Sequence, residues 1–132
     1  MDVQPGKQSI DQLFGGTVYH IDFYQRDYKW SEVPVQRLLD DIFYPFFKVY
    51  DANASLNPSK EAVTARYPWY YLNSYVTNEV EGRVFVVDGQ QRLTTLTLIL
   101  IKLRHLAKIY DSKTQHWLSQ KIAGYSGMDM DF

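Results

Sequence analysis

Apolar positions recur along this chain with two different periods. Val35, Leu38, Leu39, Ile42, Phe43 and Phe46 follow helical spacing, which predicts an amphipathic helix. Ser31 stands where an N-cap belongs, and Pro34 is tolerated in a first turn. Pro45 lacks the donor that a helix interior needs, so this helix is expected to kink or end near Tyr44. A second stripe, Leu93, Leu96, Leu100, Leu103 and Ala107, is stronger. Leu98, Ile99, Ile101 and Leu106 widen it almost all round, the mark of a central, buried helix.

Between these helices the pattern turns β-like. Residues 69–77 and 83–87 are rich in aromatic and β-branched side chains and read as two strands. The turn signal over residues 78–82 joins them into a hairpin. Val84, Val86 and Val87 predict burial on both faces of the second strand. Residues 17–22 read as a further strand, and residues 9–14 as a short helix with Ser9 as N-cap and Gly15-Gly16 as the stop. Trp117, Leu118 and Ile122 belong to a last helix capped by Ser112 or Thr114. Residues 51–66 are a polar mix and read as a surface loop. Residues 1–7 read as a flexible tail. Residues 124–132 carry a weak pattern and read as a tail at the truncation point of a longer protein. The elements predict an α+β fold over residues 8–123, with a small mixed sheet, a β-hairpin packed against a long central helix, and flanking helices.

Composition narrows what such a domain can do. With 132 residues, 45% hydrophobic and 22% charged, the chain is ordinary for one domain with a real core. Its 11 Tyr, 7 Phe and 3 Trp supply core payload and candidate stacking surfaces. A net charge of −1 argues against a chain-wide electrostatic grip on nucleic acid, although a local basic pocket stays open. The absence of cysteine excludes disulfides, thiol catalysis and cysteine metal sites, and fits a cytoplasmic protein. The longest apolar run, near Leu96, is interrupted by Lys102, Arg104 and His105, so no membrane span is expected.

Candidate chemistry concentrates where a strand gives way to the strongest helix, at Asp88-Gly89-Gln90-Gln91-Arg92. A helix N-terminus offers N–H groups and the positive end of a dipole to a phosphate. Gly89 lets the backbone approach a ligand, and Arg92 can contact a phosphate in bidentate fashion. Gln90 and Gln91 can bind a ribose, a base or an attacking water. Thr94 and Thr95 add hydroxyls, and Asp88 can hold a hydrated Mg²⁺ or orient water. The same letters also allow a bland reading, because Asp88 followed by Gln91 is a capping-box pattern. On spacing alone the two readings stand level. No Gly-Lys-Ser/Thr is present, so this is not a Walker loop.

A second cluster is Tyr24-Gln25-Arg26 with Tyr28 and Trp30, in a connection without period. Arg26 can add a phosphate contact, Gln25 a polar one, and Tyr24 can stack on a base. Tyr28 and Trp30 are expected as core anchors. His20, His105 and His116 lack ligand spacing. Asp40 and Asp41, about 100° apart around a helix, would not easily share one metal.

These segments, taken together, resemble a known family. Tyr24-Gln25-Arg26-x-Tyr28-x-Trp30, Leu38-Leu39-x-Asp41-Ile42 and Val87-Asp88-Gly89-Gln90-Gln91-Arg92-Leu93-Thr94-Thr95-Leu96 are similar to the N-terminal domain of GmrSD-type type IV restriction enzymes. The resemblance runs from about Val18 to Leu106. It implies a ParB/sulfiredoxin-like fold, with binding and hydrolysis of a nucleoside triphosphate (GTP or another) with Mg²⁺. It further implies control of a nuclease, in a C-terminal or separate domain, that acts on foreign and often modified DNA. Carried over by position, Asp88, Gln91 and Arg92 become catalytic, with Asp88 also the metal ligand. Tyr24, Gln25, Arg26, Gly89, Gln90 and Thr94 become nucleotide-binding. Such folds often self-associate, so a homodimer is an expectation by analogy. Two departures stand out: Asn73 where the family commonly has Gly, and Asp22-Phe23 where a Pro usually precedes the Tyr-Gln-Arg. No His-Asn-His nuclease site can be built, and no cysteine allows sulfiredoxin chemistry. The competing readings are a non-catalytic DNA-binding module that recognises modified DNA, and an interaction scaffold in which the motif is only a helix cap.

Overall fold

A computed structural model describes residues 2–25, 27–54 and 59–123. Among them the elements run α1 (Ile10–Leu13), β1 (Tyr19–His20), α2 (Glu32–Ala52), α3 (Lys60–Arg66), β2 (Val76–Val80), β3 (Arg83–Asp88), α4 (Gln90–Ile109) and α5 (Gln115–Ala123). This is the α+β class that the patterns predict. The chain divides into two compact units, one of Met1–Tyr28 with Tyr75–Phe132, the other of Lys29–Ser74.

In the first unit β3 is the middle strand of a mixed sheet ordered β1-β3-β2. β1 runs parallel to it, with Tyr19 opposite Val84, and β2 runs antiparallel, with Val80 opposite Arg83. The β2–β3 turn is just Glu81-Gly82, both at positive φ (51° and 76°). Two left-handed residues in succession suit a two-residue hairpin whose twist matches its strands. The predicted strands are shifted: β2 extends to Val80, so residues 78–80 of the expected turn are strand, and β3 runs one residue further, to Asp88. β1 covers two residues rather than 17–22, because the chain turns at Asp22, whose carbonyl accepts from the Gln25 N–H and whose carboxylate accepts from the Phe23 N–H. β2 begins at Val76 rather than 69, because Asn73 sits at φ 79°, outside the β region. A left-handed backbone is where Asn substitutes best for Gly. Asn73 therefore meets the geometry that its departure from the family pattern left in question.

The core is built on one stripe of α4. Leu93, Leu96, Leu100 and Ala107 are buried. Val86 of β3, Leu13 of α1 and Leu93 form one cluster, ringed by Ile10, Phe14, Tyr19 and Tyr75. Leu100, Ala107 and Leu118 of α5 form a second, which Phe14 also touches. The helix is not buried all round as its sequence predicts: Leu98 is 51% exposed, and Leu103 and Leu106 are also exposed. Val87 is exposed too, so β3 is covered on one face only. Arg104 lies in the buried stripe, with Nε donating to Ser119 Oγ at 2.8 Å.

In the second unit α2 continues past Pro45 to Ala52 and does not end near Tyr44. Two ring pairs one turn apart are stacked on this stretch, Phe43–Phe47 spanning the proline and Phe46–Tyr50 following it. Ring pairs at this spacing support a helix, and Phe43–Phe47 does so across the bond that the proline cannot donate. The surface loop expected over residues 51–66 is also corrected. α2 ends at Ala52 and α3 occupies Lys60–Arg66, capped by Ser59 Oγ, which accepts from the Ala62 N–H. Arg66 then donates to the Asn53 side chain at 2.8 Å, joining the ends of the two helices. Asp40 and Asp41 have different partners, accepting from the Gln36 side chain and from the Tyr70 hydroxyl respectively.

Candidate functional site

The strand-to-helix junction after β3 is built by one glycine. Asp88 is the last residue of β3, Gly89 stands at the N-cap with φ 92°, and α4 begins at Gln90. A left-handed N-cap turns the chain sharply and suits a residue without Cβ. The first bond of the helix ladder is Leu93 N–H to Gly89 carbonyl, 3.0 Å. The N–H groups of Gln90, Gln91 and Arg92 precede this first bond and lie outside the ladder.

The capping box that Asp88 and Gln91 allow on paper does not form. Gly89, as the N-cap, has no side chain to offer the helix start. The Asp88 carboxylate accepts from its neighbour's N–H, that of Gly89, at 2.9 Å. With Gly89 at the cap, the position three residues on is Arg92 and not Gln91, so the spacing is one residue out. α1 shows what a formed box looks like: Ser9 Oγ accepts from Gln12 N–H at 3.3 Å and Gln12 Oε1 accepts from Ser9 N–H at 2.9 Å. The capping box between Asp88 and Gln91 is thus absent, and the cap of α4 is Gly89.

The second sequence cluster is brought alongside this junction. Gln25 Nε2 donates to the Val86 carbonyl of β3 at 3.3 Å. Gln91 Nε2 donates to the Asp27 carbonyl at 3.1 Å. The Tyr28 hydroxyl lies 2.9 Å from Thr95 Oγ1. Two segments more than sixty residues apart in sequence are therefore stitched together at three points. Arg26 lies outside the described residues. Tyr24 is exposed, edge-on to the almost fully exposed Phe23 at 6.1 Å between ring centres. Tyr28 is half-exposed and held by its hydroxyl, so it is not the core anchor that its size predicts, while Trp30 is half-buried.

Along the first turns of α4, Gln90, Gln91, Arg92 and Thr94 are half-buried and Asp88 is exposed. Thr95 differs from Thr94. It is 2% exposed, and its hydroxyl donates to the Gln91 carbonyl at 2.8 Å. That leaves Thr95 a structural tie rather than a ligand group. The sequence held one clue to this tie, a hydroxyl set in a buried apolar stripe, which has to find a partner. The roles of Asp27 and Tyr28 carried no such signal.

Among the described residues, no group of three or more His, Asp or Glu side chains comes together to hold a metal. Likewise among them, no helix is long and apolar enough to cross a membrane. A groove of about 230 Å³ elsewhere in the first unit is lined by Phe14, Tyr19, Thr97, Lys121 and Ile122, among others. Its polar groups are already engaged. The Tyr19 hydroxyl donates to the Leu13 carbonyl, Thr97 donates to the Leu93 carbonyl, and Lys121 forms an ion pair with Asp11 at 2.6 Å.

Compared with known protein families, residues 8–127 match the model described as GmrSD restriction endonuclease, N-terminal domain. A comparison with curated proteins gave no match.

Proposed function

Since the chain belongs to the GmrSD restriction endonuclease N-terminal domain family by a match over most of its length, we propose that it binds and hydrolyses a nucleoside triphosphate and thereby controls the nuclease of a GmrSD-type restriction protein. The observation that carries this reading is the junction itself. A helix N-terminus stands behind a left-handed glycine, and a second polar segment is fastened beside it. Such a helix end suits an anion.

In this reading the phosphates lie at the start of α4, against Gly89, Gln90 and Arg92, with Thr94 beside them. Gln25 and Arg26 contribute from the 23–28 connection, and Tyr24 offers its ring to the base. Gln91 orients the attacking water. A magnesium ion supplies charge neutralisation at the phosphates. Mg²⁺ is commonly held by one or two carboxylates together with phosphate oxygens and water. The single exposed carboxylate of Asp88 fits that requirement without a preformed protein cage. The nuclease domain, the DNA it acts on, a cytoplasmic location and self-association belong to the same proposal.

The deciding experiment is a thermal-shift series with GTP, ATP, CTP and UTP, with and without Mg²⁺. A ligand specific to the folded state stabilises it by roughly 2.7 kcal/mol at a hundred times its Kd, which is several degrees in a domain of this size. One nucleotide should shift the wild-type chain and fail to shift Arg92→Ala, which should stay folded. Equal shifts in both would sink the assignment of the motif.

A further inference from the structure

Resting on the nucleotide reading above, we propose that Tyr28 is a positioning residue for the bound nucleotide, acting through a closed ring of hydrogen bonds that sets the 23–28 connection against the start of α4. The ring has four members. Thr95 Oγ1 gives its one proton to the Gln91 carbonyl at 2.8 Å. The 2.9 Å contact between Thr95 and Tyr28 must then run the other way, with the Tyr28 hydroxyl as donor. Gln91 returns the tie by donating Nε2 to the Asp27 carbonyl at 3.1 Å. The peptide bond between Asp27 and Tyr28 closes the circuit.

Burial of Tyr28 does not require this bond. At 39% exposure the phenol lies within reach of water. Thr95 does not require it either, since the bond back to Gln91 already uses its only donor. What the Tyr28 bond adds is register. Two adjacent residues of the connection are fixed to two α4 residues one helical turn apart, and Gln25 fixes the same segment to β3. A phosphate site assembled from two distant segments needs their separation set within a few tenths of an ångström. The ring sets it, and its acceptor, Thr95, is 2% exposed, so water does not compete there.

The test is isothermal titration of the 132-residue chain with GTP, ATP, CTP and UTP in Mg²⁺ buffer, using wild type, Tyr28→Phe and Tyr19→Phe. Tyr19→Phe is the control, because it also deletes a phenol's hydrogen bonding in the same unit, including the bond to the Leu13 carbonyl, away from the ring. Tyr28→Phe should raise the Kd of the preferred nucleotide about fivefold, the loss of one ordinary hydrogen bond. Tyr19→Phe should leave that Kd unchanged. Thr95→Val cuts the ring at its other end and should match Tyr28→Phe. The double variant should add nothing further, and Thr95→Ser should retain affinity. An unchanged Kd in both Tyr28→Phe and Thr95→Val, while wild type binds, would reduce the ring to a structural role and overturn this inference alone. Wild type that binds none of the four nucleotides would overturn the nucleotide reading and this inference with it.

Discussion

Gln25 reaches across 61 residues of sequence to donate its side-chain amide to the carbonyl of Val86, at 3.3 Å. The acceptor belongs to the middle strand of the sheet, two residues before Asp88. Gln25 is thus one of three ties that set the connection beside the junction, with those of Gln91 to Asp27 and of Tyr28 to Thr95. Gln25→Ala removes the donor from a half-buried site and should destabilise the fold by about 1 kcal/mol. Gln25→Glu should cost more, because it sets an oxygen against an oxygen. Urea unfolding midpoints at constant slope would measure both, and equal midpoints for wild type and Gln25→Glu would show that the bond does not form.

Gly89 at φ 92° carries a second expectation. An L-residue in this region is strained by roughly 1–2 kcal/mol. Gly89→Ala should lose about that much stability, and Gly89→Asn distinctly less, since Asn tolerates the left-handed region. If the two variants unfold at the same urea concentration, the junction has some other backbone conformation.

The face of α4 that meets the core can be tested by two leucines on the same helix. Leu100 is 7% exposed and belongs to the cluster with Ala107 and Leu118. Leu100→Ala should cost about 2–5 kcal/mol. Leu98, at 51% exposure, should cost no more than about 0.5 kcal/mol on the same change. Reversed magnitudes would mean that the helix is rotated about its axis.

The sequence was legible where a local signal decided the outcome. Ser9, read as an N-cap, is one, and Glu81-Gly82 lies within the turn signal that joins β2 to β3. It misled where a long-range partner outweighed a local rule. Pro45 did not end α2 near Tyr44, and the stacked pair Phe43–Phe47 spans it. Asp88 and Gln91 look like a capping box only until Gly89 takes the cap and Gln91 turns to Asp27. The stripe of Leu93, Leu96, Leu100 and Ala107 that the pattern of α4 singles out is the buried one; Leu103 of the same stripe, and Leu98 and Leu106 that widen it, are exposed instead of buried. Which of them face solvent depends on where β3 and α5 lie, and the helix sequence does not record that. The candidate site was legible as two strings, and the bonds joining them were not, because main-chain acceptors such as Asp27 and Val86 leave no trace in residue type.

Tyr19 gives a pH dependence. Burial, and then the neighbouring Tyr75, push its phenol from an ordinary value of 10 up to about 12. The folded chain therefore keeps this proton to higher pH than the unfolded chain does. The stability gained is whole below pH 10 and is lost as the pH rises through about 12. Tyr19→Phe should be less stable at neutral pH, having lost its bond to the Leu13 carbonyl, yet should lose less Tm than wild type between pH 10 and 12. Parallel Tm curves for the two proteins over that range would refute the shift.

Asp88 separates the metal from the phosphates. Its carboxylate accepts from the Gly89 N–H at 2.9 Å, and an asparagine keeps an oxygen for that bond while losing the charge. Asp88→Asn should therefore fold with an unchanged Tm in the absence of ligand. If the phosphates sit at the start of α4, nucleotide binding in EDTA should survive this change, because Arg92 and the helix end still meet them. The added stabilisation that Mg²⁺ gives the wild-type complex should vanish. Hydrolysis should fall by roughly a hundredfold or more, the scale on which removal of one electrostatic group from a reacting centre acts. The measurement is a pair of thermal-shift titrations, with EDTA and with Mg²⁺, together with phosphate release. A full Mg²⁺ effect in Asp88→Asn would place the ion on other residues, and loss of nucleotide binding even in EDTA would make Asp88 part of the junction's architecture instead of a metal ligand.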